Sequence, residues 1–168
     1  MFTQWTGIAC AASAAGIDAD ANAALVKLYE DSPVAKALAD KAVGILVFPN
    51  IVKAGFIVGA HYGEGALLQQ GKTVGYYNSV AGSYGLQAGI QTFGYVLFLM
   101  TSRAVEYLER SSGWEIGVGP SIVIVDKGVA KTLTTTTAKS DVYAFIFDQK
   151  GLMAGLGLQG SKITKISK

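Results

Sequence analysis

The sequence predicts an α+β fold: a curved, glycine-rich antiparallel β-sheet, or a partly closed barrel, with N-terminal helices and one mid-chain helix packed on it. Between residues 43 and 91, Phe, Val, Ile, Leu and Tyr are interrupted by glycines at 55, 59, 63, 65, 71, 75, 82, 85 and 89. Those residue types favour strands, and glycine inside a strand permits a bulge or a sharp bend. Turn signals at 71–72, 126–128 and 149–151 separate short strands, which favours an antiparallel arrangement.

Three segments have helical patterns. The first begins near 18–20, where an aspartate can cap it, and its apolar residues share one face. The second begins at Ser32-Pro33, with serine as the N-cap and proline in the first helical position. The third covers 103–110 and is capped by Thr101 or Ser102. We expect these helices to pack on the sheet.

Strands are predicted in the rest of the chain, and Pro49-Asn50 is expected to end the first of them. Asp126-Lys127-Gly128 is interpreted as a hairpin turn that leads into a strand over 129–137. The full set of predicted strands is 45–48, 54–62, 66–70, 73–79, 91–100, 114–118, 122–125, 129–137, 142–147 and 152–158. Apolar residues within these runs are expected to form the core, namely Phe48, Phe56, Trp114, Val123 and Phe145.

The N-terminal residues have a different composition from the rest. Residues 1–17 are rich in Ala, Ser and Gly without periodicity, so we expect a flexible segment or a processed or expression remnant, followed by a single domain over 18–168. Cys10 follows Gly7-Ile8-Ala9, small residues of the kind that precede a lipidated cysteine, although Gly7 stands where leucine is usual. Cys10 is therefore either a lipidation site or an incidental thiol.

Composition and charge exclude some classes of protein. The chain is 51% apolar and 15% charged, against about 25% charged residues in typical soluble domains. Its uninterrupted apolar stretches are much shorter than the ~20 residues of a membrane-spanning helix. The net charge of +2 is too small for a strongly basic nucleic-acid binder, but residues 127–168 carry +5 and residues 1–126 carry −3. The basic segment is either a solvated edge or a surface for an anionic partner such as a lipid.

The sequence offers no positive case for catalysis, metal binding or a cofactor. Gly155–Gly160 matches G-x-G-x-x-G, but only eight residues follow, too few for the crossover helix of a dinucleotide site. His61 is the sole histidine, and no G-x-S-x-G elbow is present. We therefore interpret His61 as a structural residue of a glycine-rich strand and predict that the protein is not an enzyme.

Six sequence blocks, in this order, resemble the SYLF domain family: Val43–Pro49, Lys53–Phe56, Tyr62–Leu67, Gly82–Gly89, Gly113-Trp114 and Lys150–Gly155. The resemblance covers about Asp20 to Ile166 and is closest to the stand-alone bacterial kind. It implies phospholipid binding, with bacterial members secreted or lipid-anchored in the envelope. Eukaryotic members of the family bind phosphoinositides and actin, and we do not extend the actin role to this chain.

The function expected from the sequence and the resemblance is a non-catalytic phospholipid-binding module of the bacterial cell envelope, whether periplasmic, secreted or lipid-anchored. Anionic phospholipid would be contacted by lysines beside apolar strands: Lys53, Lys150, Lys162 and Lys165. No nucleic-acid partner is expected. The alternative is a structural or interaction domain whose apolar sheet packs against an envelope or cytoskeletal protein.

Overall fold

The computed structural model describes residues 13–55, 58–84, 89–110, 113–133, 139–148, 151–152, 158 and 160–168. In these residues the helices are α1 (Ala14–Asp31), α2 (Pro33–Lys41), α3 (Ser102–Arg110) and α4 (Lys127–Thr132). The strands are β1 (Gly44–Gly55), β2 (Val58–Gln69), β3 (Lys72–Tyr84), β4 (Gly89–Leu99), β5 (Trp114–Glu115), β6 (Ile122–Ile124), β7 (Val142–Asp148), β8 (Gly151–Leu152) and β9 (Lys162–Ile166). The predicted α+β class is confirmed.

The strands form one curled sheet, a half-barrel, in the order β5-β9-β3-β2-β1-β4-β7-β6, with β8 beside β7. The strand pairs are antiparallel except β6 and β7, which are parallel. The prediction of a wholly antiparallel sheet is therefore corrected at this edge. A parallel pair needs a long crossover connection, and the chain from 125 to 141, which contains α4, provides it.

Strand β1 is irregular where it passes Pro49. The pairing of β1 with β4 shifts between Phe48 and Ile51, so the strand bulges there and continues to Gly55. The prediction that Pro49-Asn50 ends the strand is wrong, because a bulge accommodates a residue that has no N–H to donate. On the facing strand, a Cβ at Gly65 would lie 2.7 Å from Phe48 Cδ1 and would overlap the Val47 carbonyl oxygen. Glycine at 65 therefore lets the two strands approach closely.

The segment after β6 also differs from its prediction. Residues 127–132 are helical, and the Asp126 carboxylate caps this helix by accepting a hydrogen bond of 2.8 Å from the Val129 N–H. An aspartate followed by a glycine two residues later fits a hairpin turn and a helix cap equally well by sequence. Val129 and Ala130 pack against the outer core, so tertiary burial decides in favour of the helix. Residues 134–137 lie outside the described residues.

The helix starts follow capping rules. Helix α1 begins at Ala14, where the Ser13 hydroxyl accepts a hydrogen bond from the Gly16 N–H, four residues before the predicted start at 18. The buried Ile17 belongs to its apolar face, so residues 14–17 are part of the folded helix. Helix α2 has Ser32 as its N-cap, as predicted. Helix α3 follows Thr101, whose hydroxyl accepts from the Ala104 N–H.

The sheet is buried on both faces over most of its area. The inner face, which carries Leu46 and Leu97, packs against α3, and the outer face, which carries Val47 and Phe98, packs against α1, α2 and α4. Strands buried on both sides need nearly continuous apolar runs, which accounts for the low charge content. Of the predicted core, Phe48, Trp114 and Phe145 are buried, Val123 is partly buried against the outer cluster, and Phe56 lies outside the described residues.

Candidate functional site

One end of the sheet extends beyond the place where α1 crosses it. Helix α1 is fixed on the outer face by Asp20, which accepts a hydrogen bond from Asn50, and by Asp18, which accepts from Thr73 and Tyr76. Beyond Asn50 the long strands continue toward the connections that follow Gly55 and Tyr84. We call residues 51–55, 58–62, 80–84 and 89–92 the free end of the sheet.

The outer face of the free end carries exposed apolar side chains in one row. Val52 is paired with Tyr62, and Tyr62 is paired with Val80, and these side chains are 45%, 43% and 43% exposed. Residues directly opposite each other in antiparallel strands project from the same face. The row continues to Lys162 of β9, which is paired with Val80 and is exposed. We call Val52, Tyr62, Val80 and Lys162 the outer row.

The three described lysines among the predicted lipid contacts do not share one surface. Lys162 is in the outer row, whereas Lys165 is paired with the inner-face residue Tyr77. Lys53 is paired with His61, so it lies on the inner face of the free end, where it is half-buried. Lys150 and Cys10 lie outside the described residues. Of the three predicted lysines that the structure describes, Lys162 lies in the exposed apolar row.

Sequence reasoning did not single out Val52, Tyr62 or Val80. Their neighbours along the chain mix apolar and polar residues, so hydrophobicity along the strand does not mark these positions as facing solvent. Their alignment depends on the register between β1, β2 and β3, which is a long-range property. The one usable signal is the period of two within β3, where Val80 lies between the small residues Ser79 and Ala81.

A buried polar cluster lies on the inner face of the sheet, where the free end begins. The Tyr95 hydroxyl donates to Ser79 Oγ at 2.5 Å, and the hydroxyl oxygens of Ser79 and Ser161 lie 3.5 Å and 3.4 Å from His61 Nε2. His61 is 3% exposed, and neither serine is exposed. Burial, and then the charge of Lys53, lower the pKa of His61. Because both serines are sealed from solvent, this cluster ties strands together rather than presenting a nucleophile.

A second polar cluster is centred on Asp141, which is buried at the start of β7. Its carboxylate accepts hydrogen bonds from Arg103 at 2.9 Å, from Thr101 at 3.0 Å and from the Ser121 N–H at 3.1 Å. Desolvation raises the pKa of Asp141, but these hydrogen bonds, led by that from Arg103, outweigh it and hold the pKa below its usual 3.8. The cluster joins the start of α3 to both strands of the parallel pair.

An open groove of about 370 Å³ lies along the exposed side of α3, and its described lining residues are Arg103, Glu106, Tyr107 and Arg110. Arg110 pairs with Glu106 at 2.9 Å, and Arg103 pairs with Asp141 at the same distance. Both guanidinium charges therefore have carboxylate partners, and the groove offers little net attraction for an anion.

In the described part of the chain, no helix is both long enough and apolar enough to cross a bilayer.

The fold and the free end together define an α+β domain that presents an exposed sheet surface. A family described as "Ysc84: Las17-binding protein actin regulator" matches residues 80–168, more than half of the chain. The chain belongs to this family, the SYLF family that its sequence blocks resemble. The matched region runs from Val80 to the last residue and includes Lys162, while Val52 and Tyr62 precede it. No curated protein matches the chain.

Proposed function

We propose that this domain binds the surface of anionic phospholipid membranes without catalysis, and that the outer row makes the contact. The observation that carries the proposal is the run of three exposed apolar side chains that ends in an exposed lysine. Tyrosine suits this position, because its ring is apolar and its hydroxyl remains hydrated or hydrogen-bonded at the headgroup level. The Tyr62 hydroxyl already donates to the Glu64 carboxylate at 3.0 Å.

The charge beside the row supports an anionic surface as the partner. Glu64 is the carboxylate next to Tyr62, and Lys168 pairs with it at 3.0 Å, so its charge is compensated. Lys162 provides the positive charge within the row, and Glu115 of β5 is its pairing partner on the side away from Val80. A lysine at an anionic bilayer contributes about 1 kcal/mol, and that contribution weakens within a Debye length as salt increases.

The expected affinity is low. Transferring three half-exposed apolar side chains contributes roughly 1 kcal/mol each, and with the lysine the total is about 4 kcal/mol, which corresponds to a Kd near 1 mM. Stable attachment to a membrane generally requires a second membrane-binding feature, such as a covalently attached lipid chain. Lipidation of Cys10 would supply that feature, and we include it in the proposal, together with action in the bacterial cell envelope as a periplasmic, secreted or lipid-anchored protein.

A second candidate function uses the same surface for a protein partner. The family description names binding to the protein Las17 and regulation of actin, which favours protein recognition. In this alternative the outer row packs against an apolar patch of an envelope or cytoskeletal protein. The two functions differ in one measurable respect, because only the first requires affinity for lipid in the absence of any other protein.

Co-sedimentation with vesicles tests the proposal. Phosphatidylcholine vesicles with and without phosphatidylglycerol are compared at low and high salt, using the wild type and a Tyr62→Ser/Val80→Ser variant. The matched control is Val26→Ser, because Val26 is an equally apolar residue, 57% exposed, on α1. We expect the wild type and the control to bind the anionic vesicles at low salt and the row variant to lose binding. Wild-type protein that stays in the supernatant would overturn lipid binding and leave the protein partner.

A further inference from the structure

His61 connects strands that are distant in the sequence. It lies in β2, and its Nε2 atom is within 3.5 Å of the hydroxyl oxygens of Ser79, in β3, and Ser161, the residue before β9. Tyr95 of β4 adds the hydrogen bond to Ser79. We call these four residues the His61 cluster. It joins the start of β9 to three strands of the central sheet.

Apart from the His61 cluster, β9 is attached by strand pairing and by its buried residue Ile163. Its five residues pair with β3, and two of them also pair with β5, which itself has only two residues. Ser161 directly precedes Lys162, so the contact between Ser161 and His61 holds β9 at the end nearest the free end of the sheet. The Ser161 carbonyl also accepts a hydrogen bond from the Ile116 N–H at 2.9 Å, and Lys168 pairs with Glu64, so local opening of this short strand releases those contacts as well.

The hydrogen-bond pattern around His61 fits a neutral imidazole. Ser79 Oγ accepts from the Tyr95 hydroxyl, so the Ser79 proton is available for His61 Nε2. Ser161 can donate to the same nitrogen, and we assign Nε2 as the acceptor, which places the ring proton on Nδ1. Protonation of Nε2 would remove the acceptor shared by two buried hydroxyl groups. Leaving buried donors without partners is unfavourable.

No described group facing His61 would compensate an imidazolium charge. On β1, Lys53 is paired with His61, and on β3 the paired residue is Ala81, with Ser79 beside it. On β4, the nearby groups are the Phe93 ring, whose centroid is 5.9 Å from that of His61, and the phenol of Tyr95. From the C-terminal segment the nearby residue is Ser161. Lys53 is the one formal charge in this set, and it repels a second cation. On β2 itself, Tyr62 and Glu64 face outward.

We propose that His61 is an acid-sensitive latch that holds β9 closed on the sheet when it is neutral and releases it when it is protonated. The inference is independent of the lipid-binding proposal, although the released strand carries Lys162. Because the closed form takes up a proton less readily than the open form, acidification favours opening. Between the ordinary histidine value of about 6.5 and the pKa of the closed form, the population of the open form rises by up to about tenfold per pH unit.

The wild type provides the first test, because His61 is the only histidine and gives a single set of imidazole NMR signals. We expect the proton on Nδ1 at about pH 7.5 and a titration midpoint below the ordinary value of about 6.5. A midpoint at or above that value, or a neutral ring with its proton on Nε2, would overturn the proposal. Lys53→Gln, which removes a charge without touching the cluster hydrogen bonds, is expected to raise the midpoint.

Amide hydrogen exchange gives the second test, corrected for the intrinsic effect of pH on exchange and measured between about pH 7.5 and about pH 5. We expect the amides of Lys162–Ile166 to lose protection on acidification while those of β4 keep theirs. Ser161→Ala should expose the same amides already at the higher pH. A wild-type β9 whose corrected protection does not change with pH would contradict the latch. His61→Gln, if folded, should abolish the pH dependence of β9 protection. The wild-type measurement alone decides for or against the latch, even where this variant does not fold.

Discussion

Lys162 and Lys165 are three residues apart on β9, and they project from opposite faces of the sheet. Lys162 is paired with the exposed Val80, and Lys165 is paired with the buried Tyr77. An odd separation along a strand always places two side chains on opposite faces. A lipid surface that lies on the outer row can therefore contact the first lysine without contacting the second.

The first prediction compares these two lysines. Lys162→Gln should weaken binding to phosphatidylglycerol-containing vesicles about fivefold at low salt, which corresponds to the roughly 1 kcal/mol of one lysine at an anionic surface. Lys165→Gln should bind as the wild type does. Vesicle titrations at equal ionic strength measure both. Equal losses for the two variants would mean that general electrostatic attraction, and not the outer row, determines the contact.

The second prediction concerns stability. Asp141→Ala should lower the free energy of unfolding by about 1–3 kcal/mol, because the Ser121 N–H and the Thr101 hydroxyl lose their buried acceptor. Asp40→Ala is the control: the Lys36–Asp40 pair is short, at 2.6 Å, but 56% and 62% exposed, so its loss should cost no more than about 0.5 kcal/mol. Urea denaturation gives both values. Similar costs would show that the Asp141 cluster is not a stabilising one.

The third prediction is the pH range in which Asp141 acts. The pKa of Asp141 is held below the usual 3.8 in the folded protein. At pH values near and between the folded and unfolded pKa values, the unfolded chain therefore binds more protons than the native state. The contribution of the Asp141 carboxylate to the free energy of unfolding is therefore complete above the unfolded pKa and is lost as the pH falls through the folded pKa. Urea midpoints measured from neutral to acidic pH should fall less steeply below about pH 4 in Asp141→Asn than in the wild type. Parallel curves would contradict the assignment.

The fourth prediction concerns the close approach of β1 and β2. Gly65→Ala should destabilise the fold by about 1–3 kcal/mol or more, because the new methyl group would overlap the Val47 carbonyl and approach Phe48 Cδ1 to 2.7 Å. Gly82→Ala is the matched control, since no atom of the described residues lies within 4 Å of its Cβ position. The control should be neutral or slightly stabilising. Thermal unfolding of the pair separates steric overlap from a general intolerance of substitution in this glycine-rich sheet.

Local chemistry in the sequence was sufficient to predict the fold class and several residues of the core. Ser32-Pro33 specifies a helix start by itself, because a cap acts on neighbouring backbone atoms. The glycine spacing indicates a curved sheet, because glycine permits bulges and close approach of strands. Phe48 and Trp114 were predictable core residues because large apolar side chains in strand-like runs are rarely left in water. The family was also recognisable from the order of short glycine-rich blocks.

Tertiary structure decided the features that depend on distant partners. Residues 127–132 are helical because their apolar side chains pack on the outer core, and β6 is parallel because α4 lies in the crossover that returns the chain. The face on which each lysine lies, and the meeting of His61 with Ser161, depend on strand register. Register is fixed by pairing across the whole sheet, and a shift of one residue moves a side chain to the opposite face, so no local pattern determines it.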